Sequence, residues 1–388
     1  MEDDRVKYRI LILGASYGSL LGTKLLMAGH RVTLVCTHAT AELINREGTR
    51  VRFPIRGFAT PIEIHSNTLA GTLSASNPDA VDPREYDLVV FGMQESQYGA
   101  QGVRQLMRRI ARTRKPCLAI MNMPPLPYLK RIPGLVTEAL ESCYTDPRVW
   151  DGFDPRFTTL ASPDPQAFRP PEQPKNVLEV GLATNFKAAR FDAAEPTALL
   201  RRLEADIEQA RFHYRGEAMK VPVKLKVHDS TYVPLAKWPM LMTGNYRCIR
   251  SNGIVPIREA VHGDIDQSRE IYEWVMELCT RLGARSADLV PFEKYAEAAQ
   301  ALGKPSAAAR ALMGGATHIE RVDRLIRMIA NQLVLRDPLT NMVTLVDERL
   351  RKNRMAAEDR GRTLPRIPVT SGQPAAATPE RDSSAMNV

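Results

Sequence analysis

The chain has 388 residues, 44% hydrophobic and 25% charged, which is too long for one ordinary core and fits two domains with extensions. Its longest apolar runs, Ile10 to Leu13 and Asp87 to Gly92, have only strand length, so no segment reads as a membrane-spanning helix of roughly 20 apolar residues. The formal charge of +9 comes from Lys and Arg dispersed among acids, which favours a solvated basic surface and gives no support to a nucleic-acid partner.

Met1 is followed by Glu2, Asp3 and Asp4, where a secretory leader would carry positive charge and then an apolar stretch. Five cysteines (Cys36, Cys117, Cys143, Cys248, Cys279) are scattered without CxxC spacing. A cytoplasmic protein with reduced thiols and no metal site is expected.

In chain order, Tyr8 to Leu13 (YRILIL) reads as a buried strand. A glycine-rich turn at Gly14 leads to a helix over Leu20 to Ala28, ended by Gly29 and His30. Arg31 to Cys36 is a β-branched strand, so the chain opens with a βαβ unit. Short strands are predicted at Arg50 to Phe53 and Pro61 to His65, and a buried one at Asp87 to Gly92. A helix follows over Gly99 to Arg112, with Val103, Leu106, Met107 and Ile110 on one face, then a strand over Pro116 to Asn122. Strands alternating with helices predict a doubly wound sheet. From about 144 to 175 the chain is rich in Pro and Asp and reads as an irregular insertion. Val177 to Phe186 reads as a strand or hairpin, Pro196 to Ala210 as a helix, and Phe212 to Arg215 as a last strand. Helical periodicity dominates from Leu235 to Leu350, for example over Ser268 to Leu282 and His318 to Leu335. The expected organisation is α/β: an N-terminal Rossmann-type doubly wound domain over 1–220, and a C-terminal all-helical domain over 221–358 for substrate and dimerisation. A tail over 359–388, rich in Pro, Ser, Thr, Ala and Arg, is predicted to be disordered.

The segment Gly14-Ala15-Ser16-Tyr17-Gly18-Ser19 lies between a predicted strand and a predicted helix. That is where helix N-terminal amides meet the pyrophosphate of a dinucleotide. The usual fingerprint is G-x-G-x-x-G; here it is G-x-S-x-G, one residue shorter, with Ser16 replacing the second glycine. The placement favours cofactor binding over a plain βα turn. No carboxylate ends the second strand. Thr37 and His38 can hydrogen-bond a phosphate there, and Arg46 lies on the following helix, so NADP is favoured over NAD. An exposed loop histidine is the ordinary alternative for His38.

Several fragments together resemble the ketopantoate reductase (2-dehydropantoate 2-reductase) family. ILILGASYGSLLGTKLLMAGHRVTLV, from Ile10 to Val35, is similar to that family's first βαβ unit. In DLVVFGMQESQ, Gln97 fits a family glutamine, while Gln94 stands where a phosphate-holding lysine would be. Asn122-Met123 resembles the family's Asn-Gly turn, which implies that Asn122 contacts nicotinamide ribose and substrate. Lys237 to Asn245 (KWPMLMTGN) resembles the helix K-x-x-x-N-x-x-x-N, with Leu241 replacing the middle asparagine. Lys304-Pro305-Ser306 and Thr317-His318-Ile319-Glu320 resemble a serine turn followed by a glutamate. The resemblance covers most of residues 8–345. It implies a helical domain like the C-terminal one of 6-phosphogluconate dehydrogenase, a homodimer, and a cofactor set of Gly14, Ala15, Ser16, Tyr17, Gly18, Ser19, Thr37, His38, Gln94, Gln97 and Asn122. It also implies a substrate set of Asn122, Lys237, Leu241, Asn245, Ser306 and His318, with Lys237, Asn245 and Glu320 catalytic.

On a regular helix Lys237, Leu241 and Asn245 fall in one row. A lysine at a carbonyl can polarise it and donate a proton, and an asparagine can anchor the carbonyl or a carboxylate. Glu320 can pair with Lys237 or bind a substrate hydroxyl. The structural alternatives are a surface lysine, a helix-ending asparagine, a first-turn glutamate and an N-cap at Ser306. The functional expectation is an NADP-dependent reductase of a 2-oxo acid or related carbonyl, with Leu241 making the substrate less polar than ketopantoate. The alternatives are an opine- or glycerol-phosphate-type dehydrogenase and a non-catalytic cofactor-binding sensor.

Overall fold

In a computed structural model that describes residues 6–363, the chain opens with β1 (Arg9–Leu13), α1 (Tyr17–Met27) and β2 (Arg31–Val35). β1 and β2 run parallel, from Arg9 opposite Arg31 to Leu13 opposite Val35. The helix begins three residues before its predicted start. Tyr17, Gly18 and Ser19 carry no apolar periodicity, but Gly18 lets the helix lie close to the strand: a Cβ there would come within 2.8 Å of the Ile12 Cγ2.

Next come α2 (His38–Glu47), β3 (Arg50–Phe53), β4 (Ile62–His65), β5 (Thr72–Ser76), β6 (Leu88–Phe91), α3 (Gln101–Thr113), β7 (Cys117–Ile120) and the single turn α4 (Leu126–Leu129). They are followed by β8 (Thr158–Ser162), β9 (Gln166–Phe168), β10 (Val177–Leu182), β11 (Phe186–Ala189), α5 (Ala194–Gln209), β12 (Phe212–Tyr214), β13 (Glu217–Met219) and β14 (Leu225–His228). The main sheet has the order β14-β11-β8-β7-β6-β1-β2-β5. Its six strands from β8 to β5 are parallel, while β11 runs antiparallel to β8 and β14 parallel to β11. The strand order reverses between β1 and β6, which places the switch-point crevice of a doubly wound sheet beyond their carboxyl ends.

Two boundaries differ from the sequence reading. The 144–175 stretch is not irregular: β8, wholly buried, pairs with β7 in the middle of the sheet. Trp150 and Phe153 of the same stretch pack on Phe91, with ring centroids 5.7 and 5.6 Å apart. Thr158-Thr159-Leu160-Ala161-Ser162 is too polar for an apolar run, yet its β-branched threonines suit a buried strand. The sheet also continues past residue 220, because β14 pairs with β11 from Leu225 opposite Phe186 to His228 opposite Ala189.

The remaining chain is α6 (Lys237–Met240), a π-helical turn over Leu241–Asn245, a small hairpin of β15 (Ile249–Arg250) and β16 (Gly253–Ile254), then α7 (Ile257–His262), α8 (Ile265–Arg281), α9 (Phe292–Ala299), α10 (Ala307–Met313), α11 (Val322–Gln332) and α12 (Thr340–Thr363). One apolar core runs from one face of the sheet (Leu11, Val89, Phe91) without interruption into this helical half (Leu235, Val275, Leu325). The helical half is therefore fused to the sheet over a broad surface. The 359–388 tail reading is altered at its start, since α12 reaches Thr363; the rest lies outside the described residues. Among the described residues, all five cysteines are free and no helix is long and apolar enough to cross a membrane.

Candidate functional site

The site is built at the crevice between β1 and β6. At the end of β1, Gly14 has φ +103°, and a Cβ there would sit 2.7 Å from the Met93 Cγ and 2.8 Å from the Gly92 carbonyl oxygen. Only glycine fits both the angle and the space. The shortened turn keeps two of the usual three glycine tasks: the tight turn at Gly14 and close helix–strand packing at Gly18. Ala15 is buried, and Ser16 occupies the N-cap of α1 without a side-chain cap bond. The 11-residue helix thus presents its amide end to the crevice with the Ser16 hydroxyl beside it, a set that suits a pyrophosphate. Ser19 does not belong to this set, because its hydroxyl turns back to the Ala15 carbonyl inside the helix.

At the end of β2, Thr37 and His38 are exposed. Thr37 donates to the Thr40 hydroxyl at 3.0 Å, and His38 Nε2 lies 3.1 Å from Glu42. Gln97 accepts the Gln94 N–H at 3.0 Å and so closes its own turn.

The crevice joins the helical half through Glu320. Asn122, just past β7, donates to Glu320 Oε2 at 3.1 Å, and the Glu95 N–H points at Oε1 at 3.4 Å. The Tyr246 hydroxyl donates to the Glu320 carbonyl and accepts the Val322 N–H at 3.1 Å, which fixes the start of α11. Gln94, Asn122, Leu241, Asn245, Tyr246 and Glu320 line one narrow cleft. Burial pushes the Glu320 carboxyl up to about 7; the neighbouring Glu95 adds to this, and the Asn122 hydrogen bond opposes it. Glu95 is itself buried and raised, held by the Thr145 N–H at 2.8 Å and the Thr145 hydroxyl at 2.9 Å.

Lys237 does not complete an even row with Leu241 and Asn245. The Tyr246 N–H bonds to the Leu241 carbonyl at 2.9 Å, five residues back, and this π turn shifts the phase of the helix after Leu241. Lys237 Nζ lies instead 3.7 Å from Asp164, and Lys187 lies 3.1 Å from the other oxygen of that carboxylate. The Lys237 side chain is only 15% exposed, so the surface-lysine alternative does not hold. Ser306 caps α10 through the Ala309 N–H at 3.1 Å and donates to the Asn245 carbonyl at 2.7 Å; its hydroxyl holds the helix end rather than facing the cleft. His318 is exposed and bonded to Thr317, outside the cleft lining.

Sequence reasoning missed Glu95, Asp164 and Tyr246. Asp164 lay in the stretch taken for an irregular insertion. Glu95 stands between Gln94 and Gln97, and nothing in the local sequence signals its burial.

No family model matches the sequence, and no curated protein matches it. Solved structures do. A ketopantoate reductase from Ralstonia eutropha JMP134 is 16% identical, with 89% of this chain and 99% of that one covered and a TM-score of 0.59. D-mandelate dehydrogenase, in a ternary structure with NADH and anilino(oxo)acetate, is 13% identical, with 89% and 99% covered and a TM-score of 0.60. The dimeric ketopantoate reductase from Staphylococcus aureus is 8% identical, with 89% and 99% covered and a TM-score of 0.56. The chain has the ketopantoate reductase fold, a parallel α/β sheet followed by a helical region, along almost its whole described length.

Proposed function

We propose that this chain is an NADP-dependent reductase of a 2-oxo acid or related carbonyl compound. The observation that carries the reading is the Asn122–Glu320 hydrogen bond. It joins the switch-point end of the sheet to a carboxyl group of the helical half that keeps its proton near neutrality. Shifted carboxyl groups in a cleft between two structural halves are what carbonyl chemistry uses. The fold neighbours support a nicotinamide cofactor, since one of them holds NADH beside a 2-oxo acid derivative.

The amides from Ala15 to Gly18, with the Ser16 hydroxyl, would hold the pyrophosphate, and Gln94 and Asn122 would face the nicotinamide end. When bound, the cofactor supplies the hydride. Lys237 exchanges its Asp164 contact for the substrate carbonyl, polarises it and donates the proton that the oxygen needs. Protonated Glu320 donates to a substrate oxygen, and Asn245 anchors the carboxylate. Buried Leu241 makes an apolar wall, which favours a substrate less polar than ketopantoate; an aryl 2-oxo acid is of that kind. The dimeric neighbour supports a homodimer, and the five free thiols suit a reducing cytoplasm.

The test is a fluorescence titration with NADPH and NADH, followed by turnover of a panel of 2-oxo acids of increasing side-chain size. Saturable binding and faster turnover of the larger apolar acids are expected. No binding of either dinucleotide would end the reading.

A further inference from the structure

Between α11 and α12 the helical half forms a groove of about 550 Å³ that shares no lining residue with the Glu320 cleft. The helical repeat builds it. On α11, Arg324, Arg327 and Met328 are spaced by three and four residues, so their side chains share one face. On α12, Val343, Asp347, Arg351 and Arg354 follow the same rule. Four guanidinium groups therefore line one concavity, two from each helix.

The charges around them do not cancel. Arg327 is held by Asp337 at 2.7 Å, and Arg354 donates to the Thr317 carbonyl at 3.4 Å. The side chains of half-buried Arg324 and exposed Arg351 have no ion pair or hydrogen bond among the described residues. Of the two carboxylates in the lining, Asp347 is already bonded to Arg321, which also grips the buried Asp323 at 2.9 Å. That leaves Glu348 as the lining acid not committed to an arginine. Cations gathered in a concave site raise the local potential for anions. A guanidinium fork matches the oxygens of a phosphate or carboxylate two at a time. The volume is that of a small-molecule site rather than of a lone inorganic ion, and Met328 and the buried Val343 add an apolar wall.

We propose that the groove between α11 and α12 binds a small organic polyanion, with several phosphate or carboxylate groups on an apolar body, through Arg324 and Arg351. This site stands apart from the dinucleotide and carbonyl chemistry proposed above and does not depend on it.

The experiment is calorimetric titration of the full chain with tripolyphosphate and, separately, with citrate, in roughly 0.15 M salt so that scattered surface charges are screened. Wild type is expected to bind at least one of them saturably, one per chain. Arg324→Ala and Arg351→Ala should each weaken that binding about tenfold, and Arg324→Lys, which keeps the charge but loses the fork, by less. Arg281→Ala on α8 and Lys237→Ala at the crevice should leave it within about twofold. Tighter binding of tripolyphosphate assigns a phosphorylated ligand, and tighter binding of citrate a polycarboxylate. If the arginine variants bind as wild type does, the inference is overturned. It is equally overturned if Lys237→Ala abolishes binding, which would place the anion in the crevice. If neither probe binds, the inference also fails; a dimer that Arg324→Glu then splits, read by sedimentation, would make the groove a subunit contact.

Discussion

Asp164 and Glu320 both present carboxyl groups at the crevice, and their surroundings give them opposite tasks. Asp164 sits between two ammonium groups, those of Lys187 and Lys237, at 3.1 and 3.7 Å. Glu320 faces amide donors and another carboxylate in a buried cleft, and keeps its proton up to about pH 7. One group holds a cation in place; the other is a proton-bearing donor at working pH. The difference teaches that the site is polarised along its length, with an ion pair at the turn between β8 and β9 and a neutral acid against Asn122.

The strongest way to break this comparison is Lys237→Ala. It removes the cation from the charged end, and a loss of roughly 10²–10⁴-fold in kcat/KM is expected. Dinucleotide affinity, read by fluorescence, should stay within a few fold. Activity near wild type would show that Asp164 merely neutralises a structural lysine.

Glu320→Gln tests the other end in two ways. The raised carboxyl destabilises the fold increasingly as pH climbs from 4.5 to about 7, because the unfolded chain ionises there and the folded one does not. The cost levels off above pH 7 at about 3 kcal/mol. The variant should lack this slope, so its unfolding free energy by denaturant titration exceeds that of wild type at pH 8 and converges with it near pH 4.5. In wild type, KM for an anionic substrate should rise above pH 7 as ionised Glu320 repels it, and that rise should vanish in the variant. A wild-type KM flat from pH 6 to 8.5 would remove Glu320 from substrate binding.

Asn122→Ala sharpens the same end. The amide favours the ionised carboxylate, so its loss should move the pH step upward by roughly one unit. A step that moves downward would mean that Asn122 stabilises the neutral acid instead.

Much of this site is legible in the sequence where local pattern and chemistry coincide. The apolar run Ile10–Leu13, the turn at Gly14 and the helix behind it read directly, because a buried strand needs aliphatic side chains and a tight turn needs glycine. Asn122 and Glu320 came from the family resemblance, and the fold brings them within a hydrogen bond across 198 residues of chain. Asp164 was not legible. A buried strand spelled TTLAS leaves no apolar signal, so the segment after it lost its anchor in the sheet and read as loose loop. The π turn after Leu241 was also invisible, since a shift from four-residue to five-residue bonding depends on packing around Gly244, where a Cβ would collide with the Tyr295 hydroxyl.

The smallest expected effect is also the most direct probe of the turn between β8 and β9. Asp164→Asn keeps the size and shape of the side chain but withdraws the charge that holds Lys237. In the wild type an incoming 2-oxo acid must take the ammonium from that carboxylate, so the two anions compete. The contact is loose at 3.7 Å, so the competition is modest, and removing it should lower KM for anionic substrates by about two- to fivefold. A neutral ketone substrate should gain less, because it meets no repulsion from Asp164. If KM instead rises for anions and ketones alike, Asp164 orients Lys237 for the reaction, and the charged end of the site is a preorganised pair rather than a contact to be exchanged.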